Sequence, residues 1–184
     1  MADTVIANAS PEDLRAILRN MLSSRTPGMV SAFTLSTRAR LYQCNLQSLP
    51  TTSGTPFAQS CDGMLKPAPP LVETLTRARL LYGSGMGFAS LAPLAWIVRS
   101  TIGARWVEEG EIVNVFATVD TDIAQAIQSC TEELQETGAV DSVAARQAVG
   151  ELHDALQASR ADVDGWGGEF PFERAIYSVQ HLRL

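Results

Sequence analysis

The residue types best suited to chemistry gather near the C-terminus, in Trp166-Gly-Gly-Glu169-Phe-Pro-Phe-Glu173-Arg174. Glycines loosen the turn, Trp166, Phe170 and Phe172 can wall an apolar pocket, and Glu169 can give or take a proton inside it. The plainer reading pairs Arg174 with Glu169 or Glu173 as a clamp on the terminal helix. A second group is Arg105, Trp106, Glu108, Glu109 and Glu111. Glutamates in the first turn of a helix answer its dipole. Glu108 and Glu111 are also neighbours at i,i+3, and burial of both would hold one of them protonated, as acid catalysts require. His153 flanks the apolar seam of its helix and is a third proton carrier, set against the reading of a hydrogen-bonded structural histidine. Arg77 and Arg79 lie on a mostly apolar helix beside Tyr82, where an arginine either reaches the rim or holds a carboxylate. The catalytic candidates are therefore Glu169, His153 and Glu108. The substrate-binding candidates are Trp106, Trp166, Tyr82, Arg79, Phe172 and Arg174.

Other chemistries find little support. Two histidines, His153 and His181, and the lack of paired Cys-x-x-Cys or His-Glu-x-x-His spacings argue against a metal site. Asp120 and Asp122, like Asp162 and Asp164, stand two residues apart and diverge by roughly 200° on a helix, so they read as solvated helix-face acids. Gly83, Gly85 and Gly87 invite a phosphate-binding reading, but the spacing is wrong and the preceding segment is helical, so a tight helix–helix turn is expected. Ser84 lacks a nucleophile elbow. Cys130 falls on an apolar stripe, where cysteine is an inert hydrophobe, and Cys44 and Cys61 lie in or beside loops without an assignable base. No cofactor and no metal are expected.

The elements that must position these residues are helices. Ser10-Pro-Glu-Asp13 combines a cap, a first-turn proline and two carboxylates at the positive end of a dipole. Leu14, Ile17, Leu18, Met21 and Leu22 follow as one stripe, ending near Ser23. Residues 29–44 alternate like a strand at Phe33, Leu35, Thr37, Ala39 and Leu41, yet no partner strand is evident and a helix entered through Thr26-Pro27 is preferred. Residues 47–70, with Pro50, Pro56, Pro67, Pro69 and Pro70, read as a long loop, linker or lid. A helix over 71–82 precedes one over 90–102 that is apolar nearly all round and should lie in the core.

The strongest pattern runs from 107 to 137, with Ile112, Val115, Phe116, Val119, Ile123, Ala126, Ile127, Cys130 and Leu134 on one face and Gly138 as its stop. Asp141 then caps a helix over 141–165 whose seam is Ala145, Val149, Leu152, Leu156, Ser159, Val163 and Trp166. Two long amphipathic helices with a short connection predict an antiparallel hairpin. A last helix starts at Pro171. The expected fold is an all-α bundle of six or seven helices around that hairpin. It forms one domain over 1–184, with N-terminal helices in 1–46, the loop in 47–70 and the main bundle in 71–184. The pentapeptide Thr37–Leu41 recurs as Thr76–Leu80, with flanks too different for a solenoid.

Composition narrows the function. The chain has 184 residues, 46% of them hydrophobic, and a net charge of −6. Residues 1–92 hold five acids and eight bases, and residues 93–184 hold fifteen acids and six bases. The acidic half disfavours nucleic acid and anionic membrane as partners, and the split favours N-terminal helices packed across the hairpin, in the same chain or a neighbouring one. The most apolar run, Met86–Val98, is short of the roughly 20 residues that span a bilayer and contains Pro93. Three cysteines with no close pair suit a reducing compartment, the cytoplasm. The leading expectation is a bundle that binds a small organic molecule, acting as a cofactor-free acid/base enzyme of isomerase, cyclase or lyase type. The alternative is an interaction or oligomerisation module, a homodimer, that pairs through the hairpin seams.

Overall fold

The computed structural model describes residues 2–44, 54–59, 65–107, 110–137 and 141–184, and within them eight helices and one two-stranded ribbon. Cys61, Glu108 and Gly138 lie outside the described residues. The chain is an all-α helical bundle that divides into two compact units, Met1–Arg40 and Leu41–Leu184.

The first unit holds α1 (Ala2–Asn8), α2 (Pro11–Ser23) and most of α3 (Met29–Gln43). Ser10 caps α2 as its sequence dictates, its Oγ accepting the Asp13 N–H at 3.1 Å. Arg25 and Gly28 take the positive φ that turns the chain back into α3. None of residues 2–40 is buried, and Ile17, Leu18, Met21, Val30, Phe33 and Leu35 are 41–64% exposed.

In the second unit the loop expected over 47–70 is not featureless. Its described part contains β1 (Phe57–Gln59) paired antiparallel with β2 (Leu65–Pro67), Phe57 opposite Pro67 and Gln59 opposite Leu65. Phe57 and Leu65 are the buried residues of these strands, and Phe57 sets its ring edge-on to Phe116. Three-residue strands with one inward side chain each are too short to leave a period-two signal.

Five helices follow: α4 (Pro69–Gly83), α5 (Gly87–Arg99), α6 (Glu111–Thr137), α7 (Ser142–Trp166) and α8 (Glu173–His181). Asp141 caps α7, and Gly167 closes it with φ 76°. α5 buries Leu91, Leu94, Ala95, Ile97 and Val98 and packs against α4, α6 and α7. That arrangement corrects the expected hairpin: α6 and α7 scarcely touch, because α5 lies between them. A helix apolar on all sides needs cover on all sides. The seams read in α6 and α7 are real, with Ala145, Leu152, Leu156, Ser159 and Val163 buried, and it is α5 that packs on both helices. Gly87 lets α5 approach α6, since a Cβ there would sit 2.3 Å from the Cys130 backbone nitrogen. α8 packs on α6 and α7.

The repeated pentapeptide is not a structural repeat. Its first copy buries Leu41, against Leu81 and Met86, whereas its second buries Ala78 and leaves Leu80 exposed. No described helix is long and apolar enough to cross a membrane.

Candidate functional site

The segment between α5 and α6 is held to α7 by polar contacts that aim Trp106 inward. Thr101 and Ser159 share a buried hydroxyl–hydroxyl hydrogen bond of 2.9 Å. The Asp162 carboxylate accepts from the Gly103 N–H and from Arg105 Nη1, both at 3.0 Å. Arg105 in turn lies 5.3 Å above the Trp166 ring. Trp106 is thereby buried and stacks edge-on with Phe116 at 4.9 Å and Trp166 at 5.2 Å between centroids.

Beside Trp106 opens a cleft of about 290 Å³. Its wall on α6 is Val113, Phe116, Ala117 and Asp120, one face at helical spacing. Its other wall is Glu169, Phe170, Pro171 and Glu173, from the turn after α7 and the start of α8. The floor is aromatic and aliphatic, and its acid side chains are Asp120, Glu169 and Glu173.

The three carboxylates differ. Asp120 reaches across from α6 to cap α8, accepting the Ala175 N–H at 2.7 Å. Phe172, at the helix's own N-cap position, offers no such acceptor. Burial raises the Asp120 pKa above the ordinary carboxylate value, opposed by that hydrogen bond and by the charge of Arg174. Glu173 is paired with Arg160 at 2.7 Å, and Arg160 also lies over the Phe170 ring at 5.2 Å. Glu169 is exposed at the mouth with no hydrogen bond or ion pair among the described residues. No group of three metal-binding side chains converges among those residues.

Of the residues singled out from sequence, Trp106 and Glu169 line this cleft, and Trp166 backs it through Trp106. Phe172 is fully buried beneath it, edge-on to Phe116 and Phe170. Glu108 lies outside the described residues. His153 is half-buried on α7, its side chain 40% exposed, 3.8 Å from Asp154 and 3.4 Å from Gln157, and it does not line the cleft. Arg174 clamps neither Glu169 nor Glu173. It approaches Thr121 at 3.5 Å and lines, with His181, a wider and more open depression between α6 and α8.

Arg79 and Tyr82 belong to a separate cluster between α4 and α6. Asp122, 7% exposed in its side chain, accepts from Arg79 Nε and Nη2 and from the Tyr82 hydroxyl. The expectation that Asp120 and Asp122 are both solvated is therefore overturned. They do diverge around the helix, but α6 is covered on two sides, so one acid meets α8 and the other α4. The missed cleft residue is Asp120. Its signal was an acid at i+7 from Val113 and i+4 from Phe116, on the flank of an apolar stripe.

The glycine-rich turn before α5 serves close packing. The Phe88 N–H at the head of that helix donates to Glu133 Oε2 at 3.2 Å, so one of the chain's own carboxylates takes the place an anion would occupy.

No protein family, no curated protein and no solved structure matches this chain.

Proposed function

We propose that this chain binds a small organic molecule in the cleft beside Trp106, and that the ligand has an aromatic or aliphatic body with a protonated amine or similar donor. The observation that carries this reading is the pairing of an apolar, aromatic floor with polar lining that consists of carboxylates, one of them, Glu169, unpaired at the mouth. Rings of this kind attract a cation through their faces, and a carboxylate at the rim fixes its orientation.

The same cleft supports acid/base chemistry as its second step. Two carboxylates stand in unlike surroundings, Asp120 half-buried with its pKa raised by that burial and Glu169 exposed at the mouth, and unlike surroundings are what divide acid and base roles between two carboxyl groups. Relocating a proton on a bound metabolite is the work of an isomerase, a cyclase or a lyase, with Asp120 and Glu169 as the exchanging groups. Free thiols at Cys44 and Cys130 support a cytoplasmic setting.

Trp106 is the natural reporter. Titration with phenethylamine or tryptamine should give saturable quenching that the matching neutral alcohols and carboxylic acids do not give. Glu169→Gln should weaken that binding about tenfold, a loss of roughly 1.4 kcal/mol, with the melting temperature unchanged. Absence of saturation with amines, or a Glu169→Gln variant that loses stability instead of affinity, overturns the proposal.

A further inference from the structure

We infer that the depression between α6 and α8 is a second binding site, one that takes a small organic anion with a carboxylate or phosphate head and an aliphatic body. It shares no lining residue with the cleft beside Trp106, and its volume of about 410 Å³ is that of a small-ligand site. Ala124 and Ile127 on α6 and Leu182 after α8 give it an apolar floor. Its ionisable lining is basic, with Arg174 and His181 at i and i+7 on one face of α8. The surrounding sequence is otherwise acidic, for residues 93–184 hold fifteen acids and six bases.

The hydrogen bonds already made within the chain leave Arg174 as the anchor. Ser178 Oγ donates to the Arg174 carbonyl at 2.8 Å, and Thr131 Oγ1 to the Ile127 carbonyl at 3.2 Å. A carbonyl only accepts, so His181 donates through Nδ1 to Tyr177 O at 2.8 Å and keeps Nε2 for a ligand. Arg79, Arg105 and Arg160 are each paired with a carboxylate, whereas the Arg174 side chain meets only Thr121 Oγ1, at 3.5 Å, among the described residues. The flanking acids are engaged elsewhere. Asp120, which feels the charge of Arg174, accepts the Ala175 N–H at 2.7 Å, Glu173 holds Arg160, and Glu132 accepts from Gln128 Nε2 at 3.1 Å. The Arg174 guanidinium thus keeps most of its donors, in a planar fork that matches carboxylate or phosphate oxygens.

The two histidines give the test an internal comparison, His181 at the depression and His153 away from it on α7. Their ring NMR signals in the full chain, told apart with His153→Asn, are followed at constant pH as hexanoate, hexyl phosphate, inorganic phosphate or hexanol is added. The His181 ring should shift saturably with hexanoate or hexyl phosphate while His153 stays still, and the tighter ligand names the head group. Inorganic phosphate, which lacks the apolar body, should bind about tenfold more weakly, and hexanol should not bind. Arg174→Gln should weaken binding about tenfold, and Ala124→Glu, which sets a carboxylate in the floor, should abolish it. Arg183→Gln, at an exposed base outside the lining, should leave it unchanged. Circular dichroism of each variant verifies that the helices persist. Shifts that do not saturate, or that inorganic phosphate or hexanol matches, overturn the inference. So does binding that survives both Arg174→Gln and Ala124→Glu, or that Arg183→Gln weakens as much as Arg174→Gln.

Discussion

Arg79 on α4 grips Asp122 on α6 through two nitrogens, with Nε 3.1 Å from each carboxylate oxygen and Nη2 2.7 Å from Oδ2. The acid is nearly enclosed and the arginine is 46% exposed on its outer side. Removing the partner of a buried charge costs about 3–5 kcal/mol, and solvent access here reduces that toward about 2 kcal/mol. Arg79→Leu should therefore lower stability by about that amount in urea denaturation, and Arg79→Lys by less. The double variant Arg79→Leu with Asp122→Leu should lose less than the two single variants combined, because no orphaned charge remains.

The Tyr82 hydroxyl donates to the same carboxylate at 2.9 Å. Burial first, and then the bond to Asp122, push its pKa from 10.0 up to about 12. The native state thus keeps a proton that the unfolded chain gives up, so stability falls as pH rises from about 10 through about 12. Ultraviolet titration at alkaline pH should show one of the three tyrosines ionising late, and Tyr82→Phe should remove that late step.

Gly87→Ala should be among the most damaging single-carbon additions in the chain. The new methyl would meet backbone, not a side chain that can swing away, at 2.3 Å from the Cys130 nitrogen. Forcing α5 off α6 costs at least about 2 kcal/mol, on the scale of overpacked cores. A melting temperature within a degree of the parent protein would show that the two helices yield more easily than their contact implies.

Asp120 separates a cap from a charge. Asp120→Ala removes the acceptor for the Ala175 N–H and should cost about 1 kcal/mol, while Asp120→Asn retains an oxygen acceptor and should cost less. The carboxyl's raised pKa means that the native protein holds its proton above 3.8, where the unfolded chain has released it. Parent stability is therefore lost as pH climbs through that window, and the Asn variant should gain on the parent over the same interval. Paired urea titrations across acid pH measure this directly.

Much of the helical plan was legible because it rests on local rules. The Ser10 and Asp141 caps and the buried positions of α7 all follow from short-range pattern. Which helix lies against which was harder to see. Two amphipathic helices in succession look like a hairpin, although the apolar circumference of α5 already demanded more neighbours than α4 alone. The candidate site was half visible. Trp106 and Glu169 stood out by residue type. Asp120 was hidden because an acid on a long helix reads as solvated until α8 is known to cover it. His153 is half-buried beside its seam, as its position implied, but α7 does not carry it to the cleft.

The central position of α5 also has a consequence for how the chain is made. α5 ends at Arg99, but α7, which closes one side of it, ends only at Trp166. At roughly 5–20 residues per second, some 67 further residues need about 3–13 s of synthesis. During that interval a 13-residue segment with scarcely a polar side chain has left the ribosome with α4 as its earliest cover. The nascent protein thus passes through a stage that is stickier than its finished form. Slow translation between α5 and α7 would lengthen that stage, and a holdase chaperone would shelter it.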